Sequence, residues 1–136
     1  MVNIKVQFSA QFSGGPKVSI SKDNEVEAYN KIEVAIEPQQ DQVVEVAQGQ
    51  ISFLLIQSNL YSSSEAKLTY KVGDKEIELD QPQIFLGAGA VSLLGEDLKQ
   101  MTFSNKYPAP TADEDKDKNT AEIEILVGRD ATPPNP

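Results

Sequence analysis

The fold class follows from residues 2–12, which read VNIKVQFSAQF. Every second side chain in this stretch is apolar, and the side chains between them are polar or charged. Because the side chains of a strand point alternately to its two faces, this period of two predicts a β-strand with one apolar and one polar face. Gly14-Gly15-Pro16 ends the pattern, since glycine permits turn dihedrals and proline lacks a backbone donor.

The same strand signal recurs along the chain, separated by short turn signals. A turn is predicted at Asp23-Asn24, and residues 98–103 fit either a helical turn or a strand. Residues 104–120 form the longest irregular stretch. Further strands are predicted around 18–20, 32–36, 44–46, 84–86, 91–94 and 121–128.

A tight hairpin is the most specific local prediction. Residues 66–72 and 75–80 flank Gly73-Asp74, a two-residue loop containing glycine. This loop sets a register with two apolar and two opposite-charge cross-strand pairs, and a slip by one residue would break both sets. The pairs are Tyr70 with Ile77, Leu68 with Leu79, Lys71 with Glu76 and Lys67 with Asp80.

The run Ile51–Ile56 differs from the others because it is apolar on both faces. One interpretation is a central strand covered on both sides by its own chain. The other is a strand whose second face packs on another subunit, most commonly in a symmetric oligomer.

Together these patterns predict an all-β protein with about nine or ten short strands. The expected architecture is an antiparallel β-sandwich, of which a jelly roll is one version. One domain is expected over residues 1–130, followed by a flexible, Pro-rich tail over 131–136.

Composition narrows the function classes. The chain of 136 residues contains neither Cys nor His, which excludes a Ser-His-Asp triad, a thiol nucleophile and a His- or Cys-based metal site. The formal charge of −9 and the single Arg argue against nucleic-acid and anionic-membrane partners. No secretory signal or membrane span is recognised, so the expected location is the cytoplasm or a larger assembly.

One acidic loop has the spacing of a calcium-binding segment. Oxygen-bearing side chains fall at alternate positions, and a further carboxylate falls where a twelfth-position ligand would lie. Lys118 stands where such a loop requires glycine, so a solvated acidic loop is the alternative. The candidate calcium ligands are Asp113, Asp115, Asp117, Asn119 and Glu124. No other cofactor is expected.

Three further features each have a functional interpretation and an ordinary structural one. Gly87-Ala88-Gly89 lacks the third glycine and the helix of a phosphate-binding loop, so a tight turn is expected. The polar loop 58–64 around Tyr61 has the composition of a recognition surface and of any surface loop. Paired carboxylates could support glycoside hydrolysis, but the chain has no Trp to stack on a sugar.

The function predicted from these observations is a non-catalytic structural or assembly module. It would be a self-associating subunit of a larger protein assembly, such as a particle, a tail or a surface layer. The first alternative is a β-sandwich that binds a cation or small polar ligand through loop 113–119. The second alternative is a carboxylate-dependent hydrolase.

Overall fold

The computed structural model describes residues 2–46, 50–95 and 98–130. Within these ranges the chain forms ten strands, one short α-helix and one 3₁₀ turn. The elements are β1 Val2–Gln11, β2 Lys17–Val26, β3 Ala28–Ile36, β4 Asp41–Glu45, β5 Ile51–Ser58, β6 Leu68–Val72, β7 Lys75–Glu78, β8 Gln83–Leu86, α1 Ala88–Val91, the 3₁₀ turn Ser92–Leu94, β9 Gln100–Asn105 and β10 Ala121–Arg129. The predicted tail at 131–136 lies outside the described residues.

Eight of the strands form a jelly roll. One antiparallel sheet has the order β3-β10-β5-β8 and the other has the order β4-β9-β6-β7. The pairs β3–β10, β4–β9, β5–β8 and β6–β7 are nested, as in one long hairpin rolled into two sheets. The predicted all-β sandwich, with its jelly-roll version, is therefore confirmed. The prediction of one domain over 1–130 stays a prediction.

The core lies between the two four-stranded sheets. Alternation along β10 directs Ile123, Ile125 and Val127 inward, where each is buried. From the opposite sheet, Tyr70 and Phe103 meet in a tilted ring contact with centroids 5.5 Å apart. Both aromatic side chains are fully buried, so this contact joins β6 and β9 at the centre of the sandwich.

The β6–β7 hairpin has the register expected from the sequence. Tyr70 pairs with Ile77 and Lys71 with Glu76, and Gly73 takes a φ of 60° that favours glycine. The ion pair expected between Lys67 and Asp80 is wrong, because the Lys67 ammonium lies 2.8 Å from the Glu78 carboxylate instead. Strand β7 ends at Glu78, so Asp80 has left the ladder.

Strand β5 is central, between β10 and β8, and its two faces have different partners. Leu54 and Ile56 are fully buried in the main core. Phe53, on the other face, is also buried, but it lies outside that core. The chain itself covers part of the second face, through β1 and β2.

Two sequence predictions are wrong. Asp23-Asn24 is not a turn, because β2 continues through it to Val26. The segment 91–94 is helical, because Gly87 redirects the chain at a φ of 95° and its carbonyl accepts a hydrogen bond from the Val91 N–H. No helix in the described ranges is long and apolar enough to cross a membrane.

Burial raises the pKa of the Tyr70 phenol, whose hydroxyl donates to Gln83 Oε1 at 2.6 Å. The folded pKa lies above the unfolded value of 10.0, so the unfolded chain releases this proton first. The stabilisation is therefore complete below pH 10 and is lost at higher pH, by about 1.4 kcal/mol per pH unit. We expect Tyr70→Phe to flatten the fall in unfolding free energy above pH 10, measured by urea titration. Equal slopes in both proteins would contradict this.

Candidate functional site

Strands β1 and β2 form a separate two-stranded arm. Ten antiparallel pairs run from Val2 opposite Val26 to Gln11 opposite Lys17, and the pair belongs to neither four-stranded sheet. At about 3.4 Å per residue, ten residues make the arm roughly 30 Å long. Gly14, with a φ of 70°, lies in the turn at the tip.

The arm has one apolar and one polar face. Residues directly opposite each other in an antiparallel pair share a face, so Phe8 lies beside Ile20 and Ala10 beside Val18. The opposite face carries only polar or charged side chains, such as the pair Gln7 and Ser21. The partner strand continues the alternation at Val18, Ile20 and Val26, whereas Lys22 and Asn24 are polar residues on the apolar face.

The base of the arm packs on the outer face of the β3-β10-β5-β8 sheet. Asn24 Nδ2 donates to the Ser52 carbonyl at 3.4 Å. Gly128 of β10 lies under this contact, where a Cβ would stand 2.7 Å from Ile4 Cδ1 and 3.1 Å from both Phe53 Cβ and Val26 Cγ1. The apolar face of the arm therefore approaches the sheet so closely that only glycine fits beneath it.

We expect Gly128→Ala to lower the free energy of unfolding by about 1–3 kcal/mol, because the new methyl group overpacks the arm base. The matched control is Gly89→Ala, since a Cβ at Gly89 meets nothing within 4 Å. In α1 that change should be neutral or slightly stabilising. Thermal unfolding and hydrogen exchange in β1 and β2 measure both variants. A Gly128→Ala protein as stable as Gly89→Ala would show that the arm base is not tightly packed.

The distal half of the arm leaves its apolar face open to solvent. The exposed fractions are 49% for Phe8, 76% for Phe12, 59% for Val18 and 43% for Ile20. An isolated two-stranded hairpin is marginal in water, and a contiguous exposed apolar patch usually marks an interaction surface. The arm is accordingly the strongest candidate for a functional element among the described residues.

Charge also distinguishes the arm from the rest of the chain. Residues 3–22 contain Lys5, Lys17 and Lys22 and neither Asp nor Glu, so they carry +3. Since the whole chain carries −9, the remaining residues carry −12. Asp23 and Glu25 lie at the base of the arm, so the arm over residues 2–26 carries +1 and is weakly basic, on a strongly acidic sandwich.

The outer face of the β3-β10-β5-β8 sheet continues away from the arm base in two zones. The first is apolar: Leu126 lies opposite Leu55, and Leu55 lies opposite Ile84, which is 46% exposed. The second is acidic: Glu124 lies directly opposite Glu33, next to Glu122. This zone forms an open concavity of about 620 Å³, and it adjoins another lined by Glu37, Asp41, Asp117 and Glu122.

The acidic zone is only partly neutralised. The Lys31 ammonium lies 3.3 Å from the Glu33 carboxylate and 3.6 Å from that of Glu124. The hydrogen bond with Glu33, and then the charge of Glu124, raise the pKa of Lys31. Among the described residues, six carboxylates line the two concavities and no Lys or Arg does. Like charges directly opposite on a sheet repel, so this surface favours an added cationic partner.

The candidate calcium ligands lie in two places. Glu124 is on β10, where its Oε1 accepts a hydrogen bond from Gln57 at 2.8 Å. Asp115 and Asp117 lie together in the loop, and Asp115 Oδ1 accepts from the Asp117 N–H at 3.0 Å. Asn119, at a φ of 68°, donates to the Pro108 carbonyl at 2.9 Å, and Asp113 is exposed. Glu124 thus lies on the sheet, while the other four candidates lie in the loop.

The acidic loop supplies its own counter-charge. Glu114 is paired with Lys118, and it accepts hydrogen bonds from the Thr111 N–H at 2.9 Å and hydroxyl at 3.2 Å. The Lys118 contact, followed by the Thr111 N–H, lowers the pKa of Glu114 to about 2. Within 2–46, 50–95 and 98–130, no three Asp or Glu side chains gather in a way that could hold a metal ion. The calcium hypothesis stays a prediction.

The other sequence candidates have structural partners. Tyr61 accepts a hydrogen bond at its hydroxyl from the Ser58 N–H, at 3.1 Å, and its carbonyl accepts from the Tyr107 hydroxyl at 2.6 Å. The tight turn expected at Gly87-Ala88-Gly89 is wrong, because Gly87 follows β8 and precedes α1, a helix of only four residues. Loop 58–64 is thereby tied to the strand before it and to Tyr107.

Sequence reasoning found the strand β1 and its two faces but missed the arm. The predicted turn at Asp23-Asn24 hid the length of β2. A pairing test across the Gly14-Gly15-Pro16 turn would have detected the arm, since it places Val18 and Ile20 opposite Ala10 and Phe8. Comparisons with models of protein families, with curated proteins and with solved structures found no match for this chain.

Proposed function

We propose that this chain is a non-catalytic structural subunit that self-associates through its β1–β2 arm. The observation that supports the proposal is the solvent-exposed apolar face of the distal arm, defined by Phe8, Phe12, Val18 and Ile20. A face of this kind gains free energy when a partner covers it, at about 1.5–3 kcal/mol for each large side chain that becomes fully buried. Association with a partner accounts for this exposed face without a catalytic role of the chain.

The open strand edges and exposed side chains of the arm favour its association with another chain. Its strands pair only with each other, and from Gln7 to Ser21 every residue is exposed. A free two-stranded ribbon with open edges is a template for further association. Jelly rolls form viral capsid subunits as well as lectins and cupins, so the fold agrees with a subunit of a particle, tail or surface layer without selecting it.

The solution mass of the pure chain tests the proposal. Light scattering is measured from about 1 to 500 μM, a range that covers moderate affinities. We expect the mass to rise with concentration above the 14.9 kDa of one chain and to approach a defined multiple of it. A chain that remains a monomer throughout this range would contradict the proposal.

A further inference from the structure

We infer that the distal arm of one copy docks on the outer face of the β3-β10-β5-β8 sheet of a second copy. The acceptor surface comprises the apolar zone of Leu55, Ile84 and Leu126 and the acidic zone of Glu33, Glu122 and Glu124. This inference rests on the proposed self-association and adds the surface that receives the arm.

The chain's own arm base demonstrates the mode of contact. Ile4 and Val26 belong to the apolar face of the arm, and they pack over Gly128 and Phe53 of this same sheet face. The next pairs along the sheet, toward Leu126 and Leu55, continue the apolar character beyond the intramolecular contact. An arm from a second copy would extend that contact with the same chemistry.

Charge complementarity selects the arm as the occupant. Residues 3–22 carry +3 and no carboxylate, while Asp23 and Glu25 at the base of β2 reduce the charge of the whole arm to +1. The concavity on the sheet face is lined by three carboxylates, and the adjoining one adds three more from the β3–β4 connection, β4 and the acidic loop. No Lys or Arg is among the described residues that line them. Lys22 lies opposite Val6, on the same face of the arm as Val18 and Ile20, so apolar and cationic groups of this face would reach the apolar and acidic zones together.

A complementation experiment tests the inference with two variants. Phe8→Thr with Ile20→Thr removes the arm contact but leaves the sheet face intact. Glu33→Lys with Glu122→Lys reverses the acidic zone but leaves the arm intact. Each variant alone should associate at least tenfold more weakly than the native chain. An equimolar mixture should form a 1:1 complex, because one variant supplies the arm and the other the acceptor.

The outcomes separate this inference from the proposed function. A 1:1 complex of about twice the 14.9 kDa chain mass, without larger species, is the expected result in sedimentation velocity. If the Glu33→Lys, Glu122→Lys protein assembles like the native chain, or if the mixture stays monomeric while the native chain assembles, the acceptor lies elsewhere and only this inference fails. If the native chain does not assemble at all, both fail. Circular dichroism and the unfolding temperature of each variant verify that it is folded.

Discussion

Replacing Phe8 and Ile20 together by threonine should weaken self-association by roughly 30- to 150-fold. The two side chains form one cross-strand pair on the exposed face of the arm. Each is about half exposed, so its burial against a partner contributes about 1–1.5 kcal/mol. A loss of about 2–3 kcal/mol per arm corresponds to that fold-change in the dissociation constant. Threonine is chosen because it keeps a high strand propensity and leaves the arm paired.

The control for this variant lies one residue away on the opposite face of the arm. Gln7 and Ser21 form the next cross-strand pair, and Gln7→Thr with Ser21→Thr introduces the same residue type on the polar side. We expect this control to associate like the native chain. Sedimentation equilibrium at matched concentrations gives both dissociation constants. Equal weakening in the two proteins would mean that the apolar face has no special role.

Replacing Asn105 by alanine should cost about 2–4 kcal/mol of unfolding free energy. Asn105 is fully buried, and its Nδ2 donates to the carbonyls of Ile36 at 2.9 Å and Asn119 at 2.8 Å. Its Oδ1 accepts from the Tyr107 N–H at 3.0 Å. The side chain thus joins the ends of β3 and β9 to the segment before β10. Alanine would leave buried backbone groups without partners, and each unsatisfied group costs about 1–3 kcal/mol.

Asn59 provides the matched control because it makes the same kinds of hydrogen bond at the surface. Its Nδ2 donates to the Thr120 carbonyl at 3.2 Å, and its Oδ1 accepts from the Glu122 N–H at 2.7 Å. Water can replace these bonds, so Asn59→Ala should cost less than about 1 kcal/mol. Urea unfolding of both variants in the Phe8→Thr, Ile20→Thr background removes any contribution from association. Equal losses at the two positions would refute the assigned role of Asn105.

The sequence predicted the elements whose local signals agree with one another. The β6–β7 register follows from a two-residue turn and from apolar and charged cross-strand pairs such as Tyr70 with Ile77 and Lys71 with Glu76, which a slip would have broken together. The alternation of β10 likewise places Ile123 and Ile125 inward. Such patterns predict which face of a strand is apolar.

The same patterns do not predict what covers an apolar face. The candidate site depends on this covering, because it is an apolar face that the chain leaves open to solvent. The alternation in residues 2–12 is as regular as in a core strand, yet its distal half is exposed. Local turn propensity also failed at Asp23-Asn24, where Asp23 pairs with Lys5 and the Asn24 amide bonds to the Ser52 carbonyl. Val91 and Leu94 are buried at helical spacing, which a four-residue window cannot distinguish from a strand.

The acidic zone could not be predicted from the sequence because it depends on which strands pair. Glu33 and Glu124 are far apart along the chain, and they become neighbours only because β3 pairs with β10 in this register. Likewise, the net charge of −9 does not reveal that residues 3–22 contain three lysines and no carboxylate. A single sequence therefore indicates a jelly-roll fold more readily than it indicates the surface through which the folded protein associates.

If a second copy covers the apolar face of the arm, a single thiol placed on that face should become less reactive when the protein assembles. The chain has no cysteine, so Ala10→Cys and Ser9→Cys each introduce one thiol, on the apolar and the polar face of the same strand. Both positions are exposed in the single chain. Maleimide labelling is followed at a concentration where the protein is monomeric and at one where it is assembled. We expect assembly to slow labelling of Ala10→Cys at least about tenfold and to leave Ser9→Cys nearly unchanged. Equal labelling rates for Ala10→Cys in the monomeric and assembled protein would contradict it.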